Sequence, residues 1–313
     1  MPKSKYKAAI IGCGIIGTNG VLSHAYGYRH DPRVQLTAVV DTDQSALAAA
    51  AAAWKVNGYR HIKDLFKNEK IDIISICVPD TAHERILNEC IKYKPMAVIC
   101  EKPLTTQLAG AIKMVNRYKQ HKILLSVNYS RRYNHGISAL KKKIQQGQFG
   151  SLINAVGVYT KGTLHNGSHM IDLIRNVLGE VADVKVLGRR VDWKKTDPTI
   201  DAFLSLTNGA GVHLAAGDER VHSVFELDMF FSRARVSLRN FGEDLIIESA
   251  RPPKKIQRMK MKLSGNILTA IGNVIDALEG KAKLLSSAQE AVKTEQVCHQ
   301  LLKDKIRSRA WKN

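Results

Sequence analysis

A chain of 313 residues, 44% hydrophobic and 24% charged, is long enough for about two domains and has an ordinary globular composition. No apolar run approaches the roughly 18–20 residues that cross a bilayer, and the basic start MPKSKYKAAIIGCG runs into glycines instead of a cleavage site; both argue for a cytoplasmic protein without a membrane partner. The 48 Lys and Arg exceed the 28 Asp and Glu by 20, but they are scattered and few aromatics interleave with them, which argues against nucleic acid and for a small anionic ligand.

Along residues 1–127, short apolar runs alternate with helical patterns. KAAII (7–11), VQLTAVVD (34–41), IDIISICV (71–78), MAVICEK (96–102) and KILLSV (122–127) have the length and composition of strands buried on both faces of a parallel sheet. Between them, alanine-rich 43–54, then 81–93 with Thr81 as its cap, and 105–121 read as helices. The alternation predicts an α/β, doubly wound Rossmann domain. Residues 128–313 read differently. Helices at 135–146 and 169–178 precede period-two segments between Gly and Asn turns, and 265–309 is helical again. This predicts a second, α+β domain with a mostly antiparallel open sheet, whose last helix may return to the first domain. RPPKKIQRMKMK (251–262) reads as a basic linker. The five cysteines form no Cys-x-x-Cys pair, so neither a disulfide framework nor a zinc cluster is expected.

Gly12, Gly14 and Gly17 have G-x-G-x-x-G spacing between the first strand and a helical pattern. The first allows a tight turn, the second lets a pyrophosphate approach the backbone, and the third permits close helix–strand packing. Asp41 ends the second strand, where a carboxylate accepts from both ribose hydroxyls and repels a 2′-phosphate; the expected cofactor is NAD rather than NADP. The alternative for Asp41 is a cap for the helix at 43–54. Lys102, at the carboxyl end of the fifth strand, stands where open α/β sheets bind ligands and can donate to a substrate hydroxyl.

The motifs GCGIIG, VPDTAH (78–83), EKP (101–103), NYSRRYN (128–134), QGQFGSLI (146–153), GSHMIDLIRNVLGE (167–180) and VIDALEGK (274–281) together resemble the glucose–fructose oxidoreductase / inositol dehydrogenase / MocA family over nearly the whole length. The resemblance implies an oxidoreductase that moves a hydride between nicotinamide and a sugar, cyclitol or nucleotide-sugar. It implies a homo-oligomer, dimer or tetramer, formed through the second domain's sheet. It places Ile15, Ile16, Val78, Pro79, His83, Glu101 and Lys102 at the cofactor. His83 has a packed or capping role as its alternative. Arg131, Asn166 and Asp172 fall at the substrate.

The stretch KGTLHNGSHMID (161–172) holds two histidines four apart. Asn166-Gly167 reads as a break between them and Ser168 as an N-cap, and no Cys or Glu completes a ligand set, so no metal is expected. By resemblance His169 is the general base, and His165 stands where the family usually has an aspartate. Imidazole ordinarily titrates near pH 6.5, which suits removal of a hydroxyl proton at neutral pH. A histidine at 165 cannot supply the fixed negative charge of an aspartate. It can carry the proton itself, or mark a different substrate. Two other functions are therefore open: a redox-neutral enzyme that retains its NAD, such as one that cleaves glycosides, and a non-catalytic sensor of dinucleotide or sugar.

Overall fold

The structure is a computed structural model and describes residues 5–305. The chain divides into two compact units. The first ends at Tyr133 and takes in Leu263–Val292; the second is Asn134–Lys262 with the chain from Lys293 on. Of the helical stretch expected over 265–309, the last helix ends at Lys303, and residues 306–309 lie outside the described residues.

The first unit runs β1 (Tyr6–Ile11), α1 (Ile15–Thr18), α2 (His24–His30), β2 (Val34–Val40), α3 (Gln44–Trp54), β3 (Asn57–Tyr59), α4 (Ile62–Asn68), β4 (Ile73–Ile76), α5 (Asp80–Cys90), β5 (Ala97–Cys100), α6 (Leu108–Gln120) and β6 (Leu124–Val127). Its six strands are parallel in the order β3-β2-β1-β4-β5-β6. The order reverses between β1 and β4, so the ligand crevice of such a sheet lies beyond the carboxyl ends of these two strands. Helices cover both faces, and for this reason the central strands are mostly apolar: all four residues of β4 and of β5 are buried, Ser75 being the one polar residue among them. Asp43 caps α3 by accepting from the Ala46 amide at 2.8 Å, which corrects the alternative of a capping Asp41. Helix α5 starts at Asp80, with Pro79 at its N-cap position, so Thr81 lies inside the helix and is not the cap.

In the second unit, α7 (His135–Gln145), β7 (Leu152–Tyr159), a π-helical turn (Gly162–Gly167) and α8 (Ser168–Val177) precede β8 (Val181–Lys194), β9 (Asp197–Leu206), β10 (Gly211–Ala216), β11 (Phe225–Phe231), β12 (Ala234–Arg239), β13 (Asp244–Ser249) and β14 (Ile256–Lys260). The eight strands order as β14-β13-β12-β11-β7-β10-β9-β8, and only the β7–β10 pairing is parallel. One face packs on α7 and α8 around Met170, Ile171, Ile174, Leu204 and Leu227. The basic segment expected to be a linker supplies β14. Its Ile256–Lys260 ladder pairs with β13 at the sheet edge, where every residue is exposed and charge at the outward positions costs nothing. Two helices follow, α9 (Asn266–Leu278), which belongs to the first unit, and α10 (Ala288–Lys303).

Two carboxylates in this scaffold give it an acid limit. Burial raises the pKa of Asp31, but hydrogen bonds from Arg33 outweigh it and hold the group below its ordinary value. Burial likewise raises Asp228, and Ser237, Arg235 and Arg239 together hold it low. A carboxylate depressed on folding contributes stability that is complete above its unfolded pKa of about 3.9 and is lost as pH falls through the folded value. Thermal melts should therefore be nearly flat from pH 7 to about 5 and fall below about pH 4, and Asp228→Asn should reduce that fall. An equal acid-side slope in the variant would remove Asp228 from the account.

Candidate functional site

The glycine loop joins β1 to α1 at the point where the strand order reverses. Gly12 has φ +104°, and a Cβ there would meet the Cys77 carbonyl oxygen at 2.5 Å. At Gly17 a Cβ would stand 2.0 Å from the Gly12 carbonyl oxygen, so the helix rests directly on the turn. Gly14 differs from both: a Cβ there would touch nothing within 4 Å, and the backbone faces open space. That space belongs to a cavity of about 560 Å³, lined among others by Gly14, Ile16, Asp41, Arg60, Val78 and Pro79. Ile15 and Ile16 are exposed at 74% and 43% on the same loop, more than isolated isoleucines usually are.

Asp41 is held at the cavity wall by two backbone amides. Its Oδ2 accepts from Cys13 at 2.7 Å and its Oδ1 from Asp43 at 2.9 Å. Each oxygen retains a further acceptor position for a ribose hydroxyl. The Arg60 guanidinium donates to the Thr42 carbonyl at 3.2 Å and lines the same cavity, a cation that spacing rules did not reveal. Burial, followed by the charge of Asp41, pushes the Cys13 thiol up to about 12, so it acts as a small apolar residue. An open backbone approach and a fixed carboxylate at the wall of one cavity fit a dinucleotide.

Lys102, Arg131 and His83 follow the carboxyl ends of β4, β5 and β6. Lys102 and Arg131 are half-buried. His83 is 1% exposed, and its ring nitrogens lie 2.7 Å from the Pro103 carbonyl and 2.9 Å from the Val78 carbonyl. It is a strut joining the two strand-end loops, the packed alternative among the expectations. Glu101, half-buried and next to Lys102 in sequence, meets His24, a residue the sequence did not single out.

In the second unit the 161–172 stretch departs from its expected form. Asn166-Gly167 does not interrupt the helix: Gly167 and Ser168 both have right-handed helical dihedrals, and the π-helical turn continues into α8. Ser168 is not an N-cap, because its hydroxyl donates back to the Leu164 carbonyl at 2.7 Å. The capping carboxylate comes from β9 instead. Asp197 accepts from the amides of Leu164 at 2.8 Å and His165 at 3.0 Å, satisfying donors that a helix start leaves open. Thr199 accepts from the Gly162 amide at 2.8 Å, and Gly162 at φ +80° lets the chain turn against Asp197. Single π turns recur at functional sites because the extra residue redirects side chains.

The turn leaves His165 exposed, with its ring stacked 5.7 Å from that of Trp193, while Asn166 and His169 are half-buried. Lys161 places its ammonium 4.6 Å from the centre of the same indole. Asp172, expected on the substrate, is 2% exposed and accepts from Thr294 Oγ1 at 3.0 Å; this assigns it to the contact between α8 and α10. Among the described residues no three His, Cys, Asp or Glu gather as a metal site, and no helix is long and apolar enough to cross a membrane.

Residues 6–129 match the family described as oxidoreductase family, NAD-binding Rossmann fold. The chain is 26% identical to D-apiose dehydrogenase of Paraburkholderia graminis over 66% of its own length and 59% of that protein's. It is 23% identical to myo-inositol 2-dehydrogenase of Thermotoga maritima over 77% of each. In fold it is similar, with a TM-score of 0.82, 19% identity and 96% of both chains covered, to an oxidoreductase from Agrobacterium radiobacter solved with NAD+, L-tartaric acid and magnesium. The dinucleotide loop, the cavity and the strand-end EKP all lie in residues 6–129, the part of the chain that matches the oxidoreductase family with an NAD-binding Rossmann fold.

Proposed function

We propose that this protein is an NAD-dependent dehydrogenase acting on a secondary hydroxyl or keto carbon of a sugar, cyclitol or nucleotide-sugar. The observation that carries the reading is the cavity bounded by Gly14 and Asp41, in the same unit as Lys102 at the end of β5. Residues 1–127 bind the cofactor, and residues 128–313 supply most of the substrate contacts and the oligomer interface. Bound NAD supplies the hydride acceptor. Lys102 donates a hydrogen bond to the reacting oxygen and stabilises the negative charge that develops there. His169 takes the hydroxyl proton, and the exposed His165, stacked on Trp193, is the route by which that proton leaves. Arg131 and Asn166 orient substrate hydroxyls.

The protein works in the cytoplasm as a homo-oligomer. The outward face of the eight-stranded sheet supports the second point. Phe203, 43% exposed, stands there beside the half-buried Val156 and Val158, and Arg239 pairs with Asp228 at 2.5 Å. Such a mixed apolar and ion-paired surface suits burial against a second copy.

The test is the absorbance of reduced nicotinamide when the purified protein meets NAD and a panel of sugars, cyclitols and nucleotide-sugars. Net reduction with at least one of them is expected; a product formed without it would overturn the dehydrogenase. In the same assay Asp41→Ala should weaken NAD about tenfold or more, the loss of a bidentate ribose contact, and leave NADP affinity nearly unchanged because Arg60 remains. Parallel loss for both cofactors would remove Asp41 from the ribose.

A further inference from the structure

Behind Lys102 lies a buried polar chain. Tyr28 Oη is 2.7 Å from Ser75 Oγ, Ser75 Oγ is 2.7 Å from His24 Nδ1, and His24 Nε2 is 3.0 Å from Glu101 Oε1. The Asn128 amide donates to the same Glu101 oxygen at 2.7 Å. Tyr28, Ser75 and His24 are each 0% exposed.

The proton positions follow from counting donors. An ionised carboxylate only accepts, so His24 Nε2 carries the proton it shares with Glu101. Tyr28 Oη has Ser75 as its hydrogen-bond partner, so its proton goes to Ser75, whose own proton goes to His24 Nδ1. Every proton is then used once, running from Tyr28 through Ser75 and His24 to Glu101. The chain ends on a phenol closed to solvent, so it does not conduct protons to or from the site. Its effect is to fix a carboxylate.

Burial raises the pKa of Glu101, but the hydrogen bond from His24, the Asn128 amide and the charge of Lys102 outweigh it and hold the group below its ordinary value. Cys77 also faces Glu101, and burial keeps its thiol neutral. The Lys102 charge favours the Glu101 carboxylate, and by the same interaction the carboxylate favours the ammonium of Lys102.

We infer that His24 is a positioning residue: by donating to Glu101 from beneath, it holds a fixed negative charge beside Lys102 and so keeps Lys102 a hydrogen-bond donor. The inference gives His24 a part in the reaction only through the role proposed for Lys102. The state of Lys102 can nevertheless be measured without any substrate.

Competitive acetylation with acetic anhydride, read by mass spectrometry and normalised to an exposed lysine such as Lys63, reports the fraction of Lys102 in the amine form. Without its donor, Glu101 is held less firmly as a carboxylate, because burial raises its pKa, and the negative charge beside Lys102 weakens. His24→Leu should therefore raise Lys102 labelling at pH 8 about threefold or more, where a full pKa unit would be tenfold. Glu101→Gln should give a similar rise. His24→Gln, which keeps an amide donor toward Glu101, should label like the parent. Unchanged labelling in His24→Leu, alone or together with Glu101→Gln, overturns the inference. Should His24→Leu fail to fold, Glu101→Gln against His24→Gln decides it: equal labelling in the two overturns it, and a rise confined to Glu101→Gln supports it. A Lys102→Ala protein that kept full turnover would refute the catalytic reading and leave this result standing.

Discussion

Replacing His169 with alanine should lower kcat by about 10²–10⁴-fold, the range associated with a positioned general base, while NAD affinity stays within about twofold. Oxidation of a secondary alcohol requires a proton to leave oxygen as hydride leaves carbon, and imidazole is the side chain whose ordinary titration range suits that task at neutral pH. The first turn of α8 holds His169 on a rigid element. The turn before it is closed by Asp197 and Thr199, and Ser168 bonds back to Leu164. Loss of the ring should thus remove chemistry without removing structure, and melting temperature should change little. A variant that retains turnover would end the role of His169. A variant that loses NAD binding in parallel would show that the residue acts on the cofactor. Asp197→Ala is a useful companion, because it frees the amides of Leu164 and His165 and loosens the turn.

The parts of this fold that were legible in the sequence are those in which local chemistry and burial agree. The strands β1, β2, β4, β5 and β6 announce themselves because helices cover both faces of the sheet, so apolar residues dominate them. β3 and α4 were missed: NGY is three residues long and hardly buried, and Ile62–Asn68 is a single short helix with two buried residues. β14 was hidden by its Arg258 and Lys260, which an edge strand tolerates and a central one does not. The π-helical turn was illegible for a different reason. Asn166-Gly167 reads as a break only while its neighbours must satisfy their own amides, and here carboxylate and hydroxyl groups some 30 residues later in the chain satisfy them. His24 carried no pattern at all, and Asn128, although it opens NYSRRYN, gave no sign of its partner, since the carboxylate they share is 77 and 27 residues away in sequence.

The glycine loop allows folding and binding to be separated by two minimal substitutions. At Gly17 an added methyl would stand 2.0 Å from a backbone oxygen, far inside contact distance, and the obstacle is the turn itself instead of a side chain that could rotate away. Gly17→Ala should cost about 1–3 kcal/mol of stability, visible as a lowered melting temperature, and should abolish NAD binding because the turn must move. Gly14 has φ −72° and ψ −170°, a conformation open to alanine, and its missing Cβ points into the cavity. Gly14→Ala should therefore melt within a degree or two of the parent, yet bind NAD about tenfold more weakly, since the methyl occupies the face a pyrophosphate must approach. If Gly14→Ala bound NAD normally, the pyrophosphate would not pass over that face, and the cavity beside Asp41 would need another occupant.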